Sequence, residues 1–495
     1  MIVLAFRHGV YTREIPTALV APVQTEAGLP VVVGTAPLHL AGDADALKNV
    51  NEPKLIYSYS EAVSYFGMSD DWSNYTLCEF IYSQFALFGV APCVLINVLD
   101  PSRHNVKINE KEFGITDGSV NLGSNALKST VEAFYLNDDD EKIAYELEKD
   151  YTLTYGEDEI LWLDVVDDGA LVGKTSVFVS YTRLAPELIT ADDIIGGVDA
   201  STGRSKGLEL INSVFPKFRL TPGIIAAPKW SERPGVAAVM AAKCVDINGV
   251  FQAISVVDIP SGDNGVKIYT DVPEWKNQNN YVDKNQVACW PLIELDGKIF
   301  HISTQLIGLM NSIDAANGDI PFNSPSNHNL QMNACVNGLG YEINLGLDQA
   351  NYLNGQGIVT ALNFQGGWRA WGNRTAIYPA NTDPKDNFIP IRRMFNWIRN
   401  EFTLTFWQKV DAPMTVRLIR TIVNSFNIRL NGLQAIEAIL GGEIVFNSSE
   451  NPSTALMDGK LTFHIRFTPP SPAEQIEGVF EYEPEYLNAL FTAIK

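Results

Sequence analysis

The sequence offers no pair of neighbouring cysteines. Its five (Cys78, Cys93, Cys244, Cys289, Cys335) lie far apart, without a CxxC spacing, in a chain of 495 residues. An odd, scattered set of thiols excludes a disulfide framework and a cysteine zinc site, and reads as reduced, buried side chains. Positive charge is scarce as well. The 36 basic and 58 acidic residues give a net charge of −22. A general nucleic-acid binder needs a basic face to displace counterions, so that class is set aside. No apolar run approaches the roughly 18 residues a membrane span needs. The start, MIVLAFRHGVYTREI, has neither a basic region nor a small-residue cleavage site. No signal peptide is expected, and synthesis in the cytoplasm is.

Catalytic signatures are equally thin. GGVDASTGRSKG (196–207) invites comparison with a phosphate-binding loop. Such a loop needs G-x4-G-K-[ST], so that backbone amides wrap the phosphates and a lysine reaches the terminal one. Here five residues, not four, separate Gly197 from Gly203, and Arg204-Ser205 replaces the Lys-Ser/Thr pair. An ordinary glycine-rich turn is the better reading. There is no GxGxxG and no GxSxG. The six histidines (His8, His39, His104, His301, His328, His464) never fall at HxH or HExxH spacing. NDDDEK (137–142) lacks the alternating ligands and central glycine of a calcium loop and reads as a solvated acidic turn. No catalytic, cofactor-binding or metal-binding residue is therefore assigned. An α/β enzyme with a site assembled from distant residues remains the alternative.

What is present is a long chain with changing texture. Its length predicts two to four domains. Residues 1–20 are extended in pattern with no local pairing partner, and read as an arm. LPVVVGTAP (29–37) and CVLINVLD (93–100) read as buried strands, with helices over Ser60–Phe66 and Asn74–Phe88 between them. Between 102 and 187 the chain alternates as short strands broken by acidic turns; from Ser102 to Ala185 it carries 17 acidic and 8 basic residues. The α/β pattern resumes at Ile189. The expected fold is therefore α/β and multidomain, with a central α/β domain over 21–101 and 188–365. An all-β domain is inserted at 102–187, facing outward, and an α+β C-terminal domain occupies 366–495.

That last region holds nine of the 16 arginines. IRRMFNWIRNEFTLTFWQKV and VRLIRTIVNSFNIRLNGL have helical periodicity. KLTFHIRF and IEGVFEYE alternate as strands, and PEYLNALFTAI reads as a terminal helix. GGWRAWGNRT (366–375) reads as a packed loop with Arg–Trp contacts. No period of 20–50 residues recurs, so a solenoid is not expected.

Taken in order, HGVYTREI and VVVGTAP, LITADDIIGGVDASTGRSKGLELI, SPSN, WRAWGNRT with IRRMFNWI, and GKLTFHIRFTPPSPAEQIEGVFEY resemble the contractile tail sheath proteins of phages, R-type bacteriocins and related injection systems. The 102–187 insert has no counterpart in that resemblance. The resemblance implies a structural subunit that polymerises with itself as a helical tube of stacked rings around an inner tail tube. It also implies baseplate and tail-terminator proteins as partners, no direct contact with nucleic acid and no membrane insertion. The product would be part of a virion, assembled in the host bacterial cytoplasm. Terminal arms would add strands to a neighbour's sheet. The expected arm residues are Gly9, Val10, Tyr11, Thr12, Arg13, Glu14 and Ile15. The expected receiving sheet is Leu461, Phe463, Ile465, Phe467, Val479, Phe480 and Tyr482. Arg392, Arg393, Arg399, Arg417 and Arg420 are expected to face the tube. A virion structural protein of another kind is the second alternative.

Overall fold

The computed structural model describes residues 27–42, 45–139, 141–262 and 265–492. The arm expected at 9–15 lies outside the described residues. At the centre is the strand Pro30–Gly34, whose sequence PVVVG is buried at every position. Consecutive valines suit a strand covered on both faces, as in a parallel sheet. It pairs in parallel with Cys93–Asn97 on one side and Ile224–Ala226 on the other. The parallel order continues through Ile254–Asp258 and Gln286–Cys289 to Ile358–Phe364. Lys54–Ile56 and Gly367–Trp371 finish the two edges as antiparallel strands, giving eight in all. Gly367–Trp371 lies beyond the boundary expected at 366, so the main sheet extends at least to Trp371. The helix Ile302–Ala316 is buried from Ile302 through Met310. The helix expected over 74–88 divides into an α-helix, Thr76–Ile81, and a wider π-type turn, Tyr82–Leu87.

Residues 105–184 build two antiparallel sheets with a core of their own around Leu153, Leu161, Leu163 and Val179. Asn105–Gly114 and Ser176–Leu184 pair along nearly their whole length. This brings the two ends of the segment together, the usual geometry of a tolerated insertion. It rests on the main body through Tyr75 Oη to Asn125 at 2.7 Å, Ser69 Oγ to Glu159 at 2.6 Å and the His39 ring to the Ser124 carbonyl at 2.7 Å. Burial drives the His39 ring down to about 4, so it is neutral at neutral pH.

The 196–207 segment is a small hairpin, Gly197–Val198 with Ser205–Lys206. Asp199 fills it, accepting from Ser201, Thr202 and Lys206. A carboxylate where a phosphate would sit fits the turn reading.

Two long helices, Ile389–Phe406 and Val416–Ala435, and the strand pair Gly441–Val445 with His464–Thr468 enclose a third core. The second helix starts where the Thr415 hydroxyl accepts from the Leu418 amide at 3.2 Å, an N-cap. Its buried face is Ile422, Phe426, Leu430 and Leu433, while Val416 stays exposed.

Candidate functional site

Among the described residues, the five-residue strands Gly441–Val445 and His464–Thr468 form a sheet of two strands. A two-stranded sheet leaves two rows of backbone donors and acceptors without strand partners, a template for further pairing. One face is firmly seated. Ile444 is buried, Phe467 lies 4.3 Å from the Phe395 ring, and Phe463 lies 5.4 Å from Phe446. Leu461 precedes the strand and is only partly covered. Leu461, Phe463, Ile465 and Phe467 are thus brought together on or beside one hairpin.

Val479, Phe480 and Tyr482 are not part of it. The strand expected from IEGVFEYE does not form among the described residues. The segment 470–483, with Pro470 and Pro472 at its start, has no helix or strand. The segment is held at one point. The Arg374 guanidinium grips Glu474 with two hydrogen bonds, Nε to Oε1 at 2.9 Å and Nη2 to Oε2. Arg374 is itself fixed by Asn387 at 2.6 Å and sits 3.8 Å from the Phe388 ring centre. Beyond that clamp, Ile476, Val479, Phe480 and Tyr482 are 75–98% exposed. Each such side chain stands to gain about 2 kcal/mol by burial.

The arginines divide. Arg392 and Arg393 do not face outward, which corrects the expectation for both. Arg393 forms a two-pronged pair with Asp314, through Nη1 at 3.1 Å and Nη2, and joins the first C-terminal helix to the central body. Arg392 bonds Asp386 at 3.0 Å and Asn396 at 2.9 Å. Both are 4% exposed. The Ile389–Phe406 helix is buried on more than one side, which leaves these guanidiniums inside and in need of partners. Arg399, Arg417 and Arg420 are exposed and make no ion pair among the described residues. Between the helices, Arg429 bonds the buried Glu401 at 2.8 Å. Burial pushes the Glu401 carboxyl up to about 7 against the pull of Arg429.

The central body has its own titratable cluster. His301 Nδ1 meets Glu79 at 2.8 Å and Nε2 lies 3.6 Å from Glu232. Burial opposes charge on His301, but the two glutamates outweigh it and hold the ring protonated. Asp258 accepts from the Ser303 amide at 3.1 Å and from its hydroxyl, while burial raises it to about 6. These bonds tie the strand Ile254–Asp258 and the helices at Thr76 and Ile302 to one another. Among the described residues no group of three or more His, Cys, Asp or Glu side chains is placed to hold a metal ion. No described helix is long and apolar enough to cross a membrane.

Two functional features escaped the sequence reading. The Arg374–Glu474 clamp spans 100 positions. Asn427 reaches the edge of Gly441–Val445, as described below. Neither has a periodic signal, although Arg374 stands within WRAWGNRT.

No family model matches the chain. Curated proteins do. The tail sheath protein of Burkholderia phage BcepMu is 26% identical over 501 aligned residues, covering 98% of both chains. The tail sheath protein of Escherichia phage P2 is 25% identical over 63% of this chain and 75% of its own length. The fold is similar to a sheath of the extracellular contractile injection system PVC in its contracted state, with TM-score 0.57, 12% identity and coverage of 98% and 99%. It is equally similar to the contracted helical sheath of the anti-feeding prophage, with TM-score 0.57, 14% identity and coverage of 97% and 100%. A sequence relative thus covers 98% of both chains, and the mixed α/β fold is shared with contractile sheaths; the chain is similar to the contractile tail sheath proteins.

Proposed function

We propose that this protein is the sheath subunit of a contractile tail. It polymerises as a helical tube around an inner tail tube, and contracts to drive that tube through the target cell envelope. The observation that carries this reading is the mismatch within one chain between an exposed apolar C-terminal segment and a hairpin with unfilled edges. A segment left unpaired beside its own hairpin can fill a neighbour's, by strand addition in which main-chain hydrogen bonds supply affinity. Such a head-to-tail contact does not close on itself and propagates as a helix. Residues 9–15 are proposed as the second arm, and Leu461, Phe463, Ile465 and Phe467 as the receiving strand and its flank.

The role is structural, not enzymatic. Contraction is a rigid-body rearrangement between two packings of folded subunits linked by their arms. The exposed Arg399, Arg417 and Arg420 are the proposed contacts to an acidic inner tube. Baseplate and terminator proteins would bound the polymer, and the product would reside in a virion tail after assembly in the host cytoplasm. Residues 102–187, with an acidic excess, are proposed to face outward. Electron microscopy of the purified chain tests the reading. Long hollow helical tubes are expected, whereas discrete small particles at every concentration would refute it.

A further inference from the structure

The two edges of the C-terminal hairpin are not equivalent. Along His464–Thr468 the outer edge meets no strand among the described residues. Along Gly441–Val445 the outer edge is already engaged by a side chain. Asn427, on the helix Val416–Ala435, accepts from the Ile444 amide through Oδ1 at 2.9 Å and donates from Nδ2 to the Ile444 carbonyl at 3.2 Å. Both backbone groups of Ile444 therefore point away from the partner strand and toward the helix. One carboxamide satisfies one donor and one acceptor, the same pair that an added strand would take. Beside this contact runs a groove of about 560 Å³ between helix and strand, lined by Arg420, Asn424, Asn427 and Asn431 along the helix.

We infer that Asn427 is a placeholder guarding this edge in the free subunit, and that the groove is the seat of residues 476–483 of a second copy. This rests on the arm-exchange reading above and names the edge, the occupant and the residue that holds the place. Three features choose the occupant. Residues 476–483 form no helix or strand and expose the apolar side chains the groove would cover. From 470 to 492 the chain has five glutamates and no basic residue, whereas the groove presents Arg420, which makes no ion pair among the described residues, and Glu443, which Arg466 pairs at 3.2 Å. The helix face supplies further amides, Asn424 and Asn431, to meet backbone groups that a new strand turns outward. A guarded edge solves the problem that an unguarded one creates, uncontrolled strand pairing before the correct partner arrives.

The test uses full-length chains with one cysteine in the arm, Phe480→Cys or Glu481→Cys, so that one of the two faces each side of an added strand. Each is combined with Glu443→Cys or with Arg466→Cys, positions directly opposite each other in the hairpin. The native cysteines are buried. Oxidation of assembled tubes is expected to give a ladder of covalent multimers with Glu443→Cys and none with Arg466→Cys. A ladder at Arg466→Cys equal to or stronger than that at Glu443→Cys overturns the inference and leaves arm exchange standing. No ladder at either position overturns both. Separately, Asn427→Ala removes the resident competitor and is expected to lower the critical concentration for assembly about tenfold, the loss of two ordinary hydrogen bonds. Its melting temperature should fall in the free chain but not in the tube. An unchanged or raised critical concentration, or equal destabilisation of both forms, contradicts the placeholder role.

Discussion

The central sheet and the C-terminal hairpin use strands of similar length and finish them in opposite ways. Pro30–Gly34 has a parallel neighbour on each side and is buried throughout. The antiparallel strands Lys54–Ile56 and Gly367–Trp371 stand at the edges of its sheet. The hairpin stops at two strands, with one edge plugged by an asparagine and the other without a strand partner. Apolar surface is divided in the same way. The body hides Trp290, Tyr281 and Phe300 completely, while the C-terminal segment leaves Phe480 98% exposed. The difference teaches where each kind of free energy resides. Burial within the chain stabilises the body; under the proposed arm exchange, burial deferred to a neighbour would stabilise the polymer.

The largest expected effect is at the seam between the two regions. Arg393→Ala leaves Asp314 buried without its partner, and should destabilise the subunit by about 3–5 kcal/mol in urea unfolding. A loss near zero would mean that the C-terminal unit is not held to the body through this pair.

Next is a pH contrast. Glu401 has its folded value raised from 4.5 to about 7. Its contribution is therefore fully present below pH 4.5 and is lost as pH rises through about 7, a span of about 3 kcal/mol. His39 runs the other way, with its folded value lowered from 6.5 to about 4. Its contribution is present above pH 6.5 and lost as pH falls toward 4. Opening free energies from hydrogen exchange, corrected for the intrinsic amide rate at each pH, should rise in 389–435 as pH falls from 8 to 5 and, below 6.5, should fall around Ser124. Glu401→Gln should flatten the first trend alone.

Smaller again is Arg374→Ala. It should cost about 1–3 kcal/mol of subunit stability, because Arg374 is a partly buried, multiply bonded charge. Protease cleavage near Glu474 should quicken at the same time. Smallest of all, Val479→Ser, Phe480→Ser and Tyr482→Ser together should change subunit stability by no more than about 0.5 kcal/mol, since none is packed in the free chain. A large loss would show that these side chains already belong to a core.

Much of the body was legible because its signals are local. Three valines before a Gly-Thr-Ala-Pro turn specify a buried strand, and the 3–4 spacing in VRLIRTIVNSFNIRLNGL specifies the helix that forms. The alternation in IEGVFEYE predicted a strand, and none forms among the described residues, because alternation alone does not supply a pairing partner. Arg392 and Arg393 were misplaced for a related reason. A helical pattern marks polar residues as outward unless a buried acid awaits them, and Asp314 lies 79 positions before Arg393. Asn427 was invisible because its role depends on a strand 17 residues onward whose edge must be unfilled.

The central claim is that the C-terminal segment works only between copies. Removing residues 476–495 from the full chain, and comparing thermal unfolding with tube formation by electron microscopy, tests it directly. An unchanged melting temperature with no tubes is the predicted result; tubes of normal length from the shortened chain would contradict the account.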